Sequence, residues 1–329
     1  MIKLATIGTS WITEAFLLGC GLLKNEFQLT AVYSRDYEKG LEFGKNFGCE
    51  KVICDLRELA TDPEIEAVYI ASPNAFHYSQ SKLMLQNKKH VLCEKPITVT
   101  PQELQELQAL AKLNNVVYME AIMGPHLPAW ATVIDKISSL GRISHARFDF
   151  SQRSSKLDAL FRGEHQNIFD PKMAAGALMD LGVYCVYPAV YWFGEPKDVY
   201  SYCRFLNTGA DGEGGAILHY NDLNVELTWS KTGESRLGSE IVGENGTIVM
   251  PSISTLRNSQ FIAKDGSVEP LFHNPEKPEL MSYETADFYR YITDIHSRDE
   301  LEALNEIALS VSRLMQTIRR QCNINFNVK

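Results

Sequence analysis

Two groups of residues in this 329-residue chain have the types and spacing that proton and hydride chemistry needs. The first is Glu94-Lys95-Pro96, where the apolar run Val91-Leu92-Cys93 ends in an acid, a base and a proline. Pro96 cannot donate to a sheet ladder and pushes Lys95 away from helical dihedrals, so a strand must stop and Lys95 must stand on the loop just past it. In an open parallel sheet, ligands lie outside that edge, so an ammonium there would overhang a bound cofactor. A surface lysine after a strand is the plain alternative. The second group lies in 174–184, where small residues run into a helical pattern carrying Asp180 and Tyr184. Four residues apart, these two share one helix face. An acid and a phenol on an otherwise apolar helix suit proton transfer, and an aspartate bonded to a core tyrosine is an equally ordinary reading. A phenol with a pKa near 10 is a poor base at neutral pH, so a nearby cation must favour its phenolate. Lowering the pKa by about two to three pH units takes roughly 3–4 kcal/mol of preferential stabilisation.

A phosphate-binding turn is sketched at Gly8-Thr9-Ser10-Trp11-Ile12-Thr13. The fingerprint G-x-G-x-x-G asks for glycine at 8, 10 and 13, for a tight turn, for close approach to a pyrophosphate and for helix-strand packing. Only Gly8 matches; Ser10 is small and its hydroxyl can donate to phosphate. At the end of the next apolar run stand Ser34 and Arg35, with Lys39 one turn later. An acid there would accept from a ribose 2′-hydroxyl, whereas a 2′-phosphate needs a cation. The pattern favours NADP over NAD, with Asp36 free to cap the following helix.

The elements that position these residues alternate. Apolar runs at 2–7, 27–33, 51–53, 67–71, 90–93 and 116–119 alternate with helical stretches, the clearest having Thr100 as N-cap, Pro101 at N1 and Glu103 at N3. Such alternation with short connections predicts a doubly wound parallel sheet of dinucleotide-binding type over 1–121. Past Ala121 the pattern changes to half-buried strands at 143–150, 199–206, 216–220 and 225–229 and to hairpin turns at Asn245-Gly246 and Asp265-Gly266. This predicts a second α/β domain, 122–329, with a large, mostly antiparallel sheet and two closing helices, 278–297 and 302–321.

Composition removes several classes of function. A net charge of −9 without a Lys/Arg cluster argues against sequence-independent binding to nucleic acid or anionic membranes. The longest apolar run, 183–193, is interrupted by Pro188 and is shorter than a membrane span. Met1 leads into a strand without a basic n-region, so no secretory signal is expected. The seven cysteines show no zinc spacing and read as reduced thiols, which gives a cytoplasmic protein without a metal. Cys93 beside Glu94 is not read as a nucleophile, because a neighbouring carboxylate raises a thiol pKa.

Taken together, these segments resemble the Gfo/Idh/MocA oxidoreductases. The carriers are the glycine turn, Ser72-Pro73-Asn74-Ala75-Phe76-His77, Glu94-Lys95-Pro96, Met119-Glu120-Ala121 and Gly176-Ala177-Leu178-Met179-Asp180-Leu181-Gly182-Val183-Tyr184. Leu181-Gly182-Val183-Tyr184-Cys185 and Met281-Ser282-Tyr283-Glu284 are most similar to the dimeric dihydrodiol dehydrogenase and NADP-dependent xylose dehydrogenase branch. The resemblance implies a Rossmann domain, a second domain whose sheet forms a homodimer or larger homo-oligomer, and hydride transfer with NADP or NAD. It implies that Lys95, Asp180 and Tyr184 are catalytic, with Tyr184 in place of the histidine many relatives carry and Asp180 orienting the substrate or Lys95. It further implies that Ser72, Pro73, Asn74, His77, Glu94 and Glu120 line the cofactor pocket; from the residues alone His77 reads as a helix-start residue. The expected substrate is a sugar, polyol or cyclic diol. The alternative is an NAD(P)-sensing regulator on the same fold, and an amino-acid or imino-acid substrate is disfavoured because no paired arginine clamp for a carboxylate is visible.

Overall fold

The computed structural model describes residues 1–326, so the last three residues of the expected second domain lie outside it. The chain opens with β1 (Ile2–Ile7), α1 (Trp11–Leu22), β2 (Phe27–Tyr33), α2 (Tyr37–Lys45), β3 (Val52–Ile53), α3 (Leu56–Thr61), β4 (Ala67–Ile70), α4 (His77–Gln86), β5 (His90–Glu94), α5 (Pro101–Asn114) and β6 (Tyr118–Ala121). The six strands pair in parallel in the order β3-β2-β1-β4-β5-β6. The order reverses between β1 and β4, which makes their carboxyl ends the switch point of the sheet. Every residue of β4 is buried, as a strand covered on both faces requires. α5 begins with the anticipated capping box, Thr100 Oγ1 accepting from Glu103 N (3.2 Å) and Glu103 Oε2 from Thr100 N (3.0 Å). β6 starts two residues later than the sequence suggested. Asn115 turns left-handed (φ 54°) and Val116 N donates back to Ala111 O, so these residues still belong to the end of α5.

The chain continues through α6 (Pro128–Ser139), β7 (Ile143–Ser151), α7 (Leu157–Phe161), α8 (Val183–Phe193), β8 (Asp198–Phe205), β9 (Asp211–His219), β10 (Asn224–Ser230), β11 (Ser239–Gly243), β12 (Gly246–Met250), β13 (Gln260–Ala263) and β14 (Val268–Pro270). These strands form one sheet in the order β14-β13-β12-β11-β7-β10-β9-β8. It is antiparallel except at its centre, where β7 and β10 run parallel. Both turn dipeptides fall where expected, Asn245-Gly246 between β11 and β12 and Asp265-Gly266 between β13 and β14. α8 covers the inner face, with Trp192 edge-on to Phe148 (centroids 5.5 Å) and Phe193 stacked on it (6.3 Å). The helical stretch Pro171–Phe193 is long and apolar enough to cross a bilayer, but most of it is buried inside the protein.

The last two helices, α9 (Lys277–Thr293) and α10 (Arg298–Gln321), do not simply append to the second sheet. One compact unit comprises Met1–Met123 with Glu276–Glu306, and the other comprises 124–275 with the chain from Ile307 onward. A single division at residue 121 therefore misses α9. It belongs to the first unit because its apolar face, Leu280, Met281, Phe288 and Tyr291, is buried there, with Phe288 stacked on Phe27 of β2 at 6.1 Å.

Candidate active site

In the first unit the expected cofactor residues gather at the carboxyl ends of β1, β2, β4, β5 and β6. Gly8 ends β1 at φ +115°, and a Cβ on it would lie 2.8 Å from Ala71 O of the neighbouring strand, so glycine is required twice over. Thr9 and Ser10 follow, and Ser10 is the N-cap of α1 with an extended backbone and no side-chain cap bond. Trp11 is exposed, Ile12 half-buried, and Thr13, at the third fingerprint position, is fully buried where α1 packs on the sheet. Ser34 is buried at the end of β2; its Oγ accepts from Asp36 N. Arg35 and Lys39 are exposed beside it, while the Asp36 carboxylate is occupied capping α2 by accepting from Lys39 N (3.2 Å).

Past β4, Ser72, Pro73 and Asn74 form a turn that His77 ties down. His77 is the first residue of α4 and is wholly buried, with Nδ1 2.9 Å from Pro96 O and Nε2 2.8 Å from Ser72 O. Burial pushes its pKa down while the two carbonyl contacts pull the other way, and the ring links the Ser72 loop to the Lys95-Pro96 turn. Lys95 directly follows β5, half-buried, and its peptide to Pro96 is cis. Beneath it lies buried acid. Glu94 accepts from Tyr69 Oη at 2.5 Å, and Glu120 accepts from Ile97 N at 2.9 Å. Burial raises the pKa of both, Glu120 to about 7, against the opposing pull of Lys95. α9 adds two residues the sequence reading did not assign. Glu284 is buried and held well above the carboxylate range by desolvation and Glu94. Lys277 has its ammonium 5.9 Å from the Trp11 ring centre and 3.5 Å from Met123 Sδ.

In the second unit, Asp180 lies on a π-helical turn, Leu178–Gly182, that leads into α8, whose first turn carries Tyr184. Such wide turns are frequent at functional sites. The Tyr184 ring meets Phe150 of β7 edge-on at 5.4 Å. Asp180 is ion-paired with Lys231, which follows β10 and whose ammonium also lies 5.5 Å from the Phe169 ring centre. The turn is held from β9, where buried Asp211 Oδ2 accepts from Leu178 N at 2.7 Å. A Cβ on Gly176, at φ +145°, would collide with Asp211 Oδ1, so this glycine is fixed by the cap. Burial lifts Asp211 to about 6, with Leu178 N and the Lys231 charge opposing. Among the described residues no cluster of three or more His, Cys, Asp or Glu could hold a metal ion.

Residues 2–122 match the model of an oxidoreductase family with an NAD-binding Rossmann fold, and residues 136–249 that of the GFO/IDH/MocA C-terminal domain. The chain is 39% identical over 324 residues to scyllo-inositol 2-dehydrogenase (NADP(+)) of Bacillus subtilis, covering 98% of both chains. The chain belongs to the GFO/IDH/MocA oxidoreductase family. Trans-1,2-dihydrobenzene-1,2-diol dehydrogenase of Oryctolagus cuniculus is 32% identical, with 93% of each chain covered. In fold it is similar to a 3-ketoreductase of Actinomadura kijaniata solved with NADP and TDP-benzene, at a TM-score of 0.82, 21% identity and 98% coverage of both chains.

As a GFO/IDH/MocA member the protein is an NAD(P)-binding oxidoreductase, and its own residues fit that cofactor. The Gly8 turn backed against Ala71 O leaves no side chain where the dinucleotide backbone must approach, and the N-terminus of α1 faces the same edge. Lys231 carried no sequence signal, reading as a polar residue at a strand end. Its burial follows from the segment around Phe169 folding over it.

Proposed function

We propose that this protein is an NADP-dependent dehydrogenase or reductase acting on a carbinol of a polyol, sugar or cyclic diol, in the cytoplasm. When bound, the nicotinamide supplies the acceptor or donor of hydride. Tyr184 takes the hydroxyl proton during oxidation and returns it during reduction. Lys95 favours the phenolate by its charge, and Asp180 orients the substrate. Gly8, Thr9, Ser10, Trp11, Ile12, Ser72, Pro73, Asn74, His77, Glu94 and Glu120 hold or back the cofactor. The observation that carries the reading is Lys95 immediately after β5, at the carboxyl edge of the sheet that carries the Gly8 turn, with its charge acting on the buried acids Glu94 and Glu120.

NADP is favoured because the cations at the end of β2, Arg35 and Lys39, are exposed while Asp36, the acid next to Arg35, is spent on a helix cap. One relative, named as an NADP(+) enzyme acting on an inositol, supports the same choice, and the name of another supports a diol substrate. A homodimer or larger homo-oligomer through the second sheet accounts for its open face, where Tyr200 and Tyr202 stand 66% and 61% exposed beside Ile217.

The test is Lys95→Ala and Tyr184→Phe, with NADPH binding measured separately from turnover of a polyol and diol panel. Each variant is expected to bind NADPH within a few-fold of the parent and to lose about 10²–10⁴-fold in kcat. Full turnover by both would overturn the assignment.

A further inference from the structure

We infer that Lys231 is a positioning residue of this reaction, whose buried ammonium fixes the Asp180 carboxylate to receive a hydrogen bond from a substrate hydroxyl on the carbon beside the reacting one. The inference deepens the function proposed above and rests on it.

The pair is lopsided. Only 4% of the Lys231 side chain reaches solvent, whereas 41% of the Asp180 side chain does. Burying an ammonium carries a desolvation penalty that pairing with a half-exposed acid offsets poorly, so a well-packed apolar stem such as methionine would serve stability at least as well. What methionine cannot provide is a fixed positive charge under an accessible carboxylate. The surroundings hold that charge still. Lys231 N donates to Gly212 O of β9 at 2.8 Å, and its carbonyl accepts from Ser154 N at 2.9 Å. Phe169, fully buried, presents its ring to the ammonium.

The second acid within reach of Lys231, Asp211, is engaged by Leu178 N and set into the base of the helix. Asp180 is thus the acid of the pair that faces outward, one turn before Tyr184, whose ring is set by Phe150. A carboxylate held in place one turn from a phenol brackets two neighbouring hydroxyl groups, one whose proton passes to Tyr184 as its carbon gives up hydride to the nicotinamide, and one donating to Asp180. A site built to bond a hydroxyl discriminates strongly against the analogue lacking it, because its own polar group is then left unpaired.

The experiment compares the parent enzyme with Lys231→Met, which keeps the stem and loses the charge, and Lys231→Arg, which keeps the charge. Each is assayed with NADP on trans-cyclohexane-1,2-diol and on cyclohexanol, with NADP affinity and melting temperature followed in parallel. Lys231→Met is expected to raise KM for the diol 10–100-fold more than it lowers kcat, to keep NADP affinity within threefold and to erase the preference for diol over mono-ol. Lys231→Arg is expected to recover at least part of that preference. An unchanged preference in Lys231→Met, or an arginine variant no better than methionine, overturns the inference. If Lys231→Met does not fold, Asp180→Asn must erase the preference by itself, and its failure to do so overturns the inference equally. No turnover by the parent enzyme on either alcohol, or on a wider panel of polyols and sugars, would instead remove the functional reading beneath it.

Discussion

Both units set a lysine against a carboxylate, but they bury opposite members. In the first unit the acids go inside, Glu94, Glu120 and Glu284, and the half-buried Lys95 is what remains at the sheet edge. In the second the lysine goes inside, and Asp180 with Tyr184 is what remains. The buried partner thus decides which charge a surface offers, a cation suited to phosphate or phenolate on one side and an acceptor suited to hydroxyl groups on the other. The proposed reaction draws on both, and each is prepared within its own unit.

The largest effect is expected where the second arrangement rests on one atom. Gly176→Ala places a Cβ on Asp211 Oδ1 at a backbone angle alanine rarely adopts, and should cost about 3 kcal/mol or more, measured by denaturant unfolding. A wild-type stability would mean that the Asp211 cap does not hold the Asp180 turn.

The buried acids of the first unit predict a pH dependence of opposite origin to that of an ion-paired surface acid. Glu120 titrates at about 7 in the folded chain and near its ordinary 4.5 when unfolded. The folded state therefore binds more protons between those values, and stability falls as pH rises from about 4.5 through about 7. Glu120→Gln keeps an oxygen to accept from Ile97 N and should gain roughly 3 kcal/mol at pH 8 relative to pH 4, on the scale of 1.36 kcal/mol per pH unit. Chemical denaturation at the two pH values checks it; parallel curves for parent and variant would remove the buried acid from the comparison.

A smaller effect sharpens the cationic side. Arg35→Ala should weaken NADP binding about 10–100-fold while leaving NAD binding within threefold, the worth of a charge-assisted hydrogen bond. Equal losses for both cofactors would detach Arg35 from the 2′-phosphate. Smallest of all, Thr100→Ala removes the cap of the helix that follows Lys95-Pro96 and should cost about 1 kcal/mol with kcat unaltered, separating stability of the first unit from its chemistry.

Much of this architecture could be read from local patterns. The period of apolar runs yields the parallel sheet, the Thr100–Glu103 box marks α5 to the residue, and the Asn-Gly and Asp-Gly turns place two hairpins. Asp36 caps its helix as its position suggested. What escaped depends on contacts distant in sequence. The parallel pairing of β7 with β10 joins segments about 80 residues apart without a local turn signal, and α9 belongs to the first unit only through a hydrophobic face that fits there. Lys231 and Glu284 escaped for the same reason. A lysine after a strand and a glutamate in an amphipathic helix both read as solvated, and each is buried only because another segment closes over it.

The return of α9 to the first unit carries a consequence for biosynthesis. Because residues 276–306 complete that unit, it cannot finish assembling on the ribosome until the intervening 124–275 have already emerged. The nucleotide-binding half is begun first and finished only after the large sheet has emerged, so a nascent chain halted anywhere in that sheet would expose the bare surface that Leu280, Met281 and Phe288 later cover.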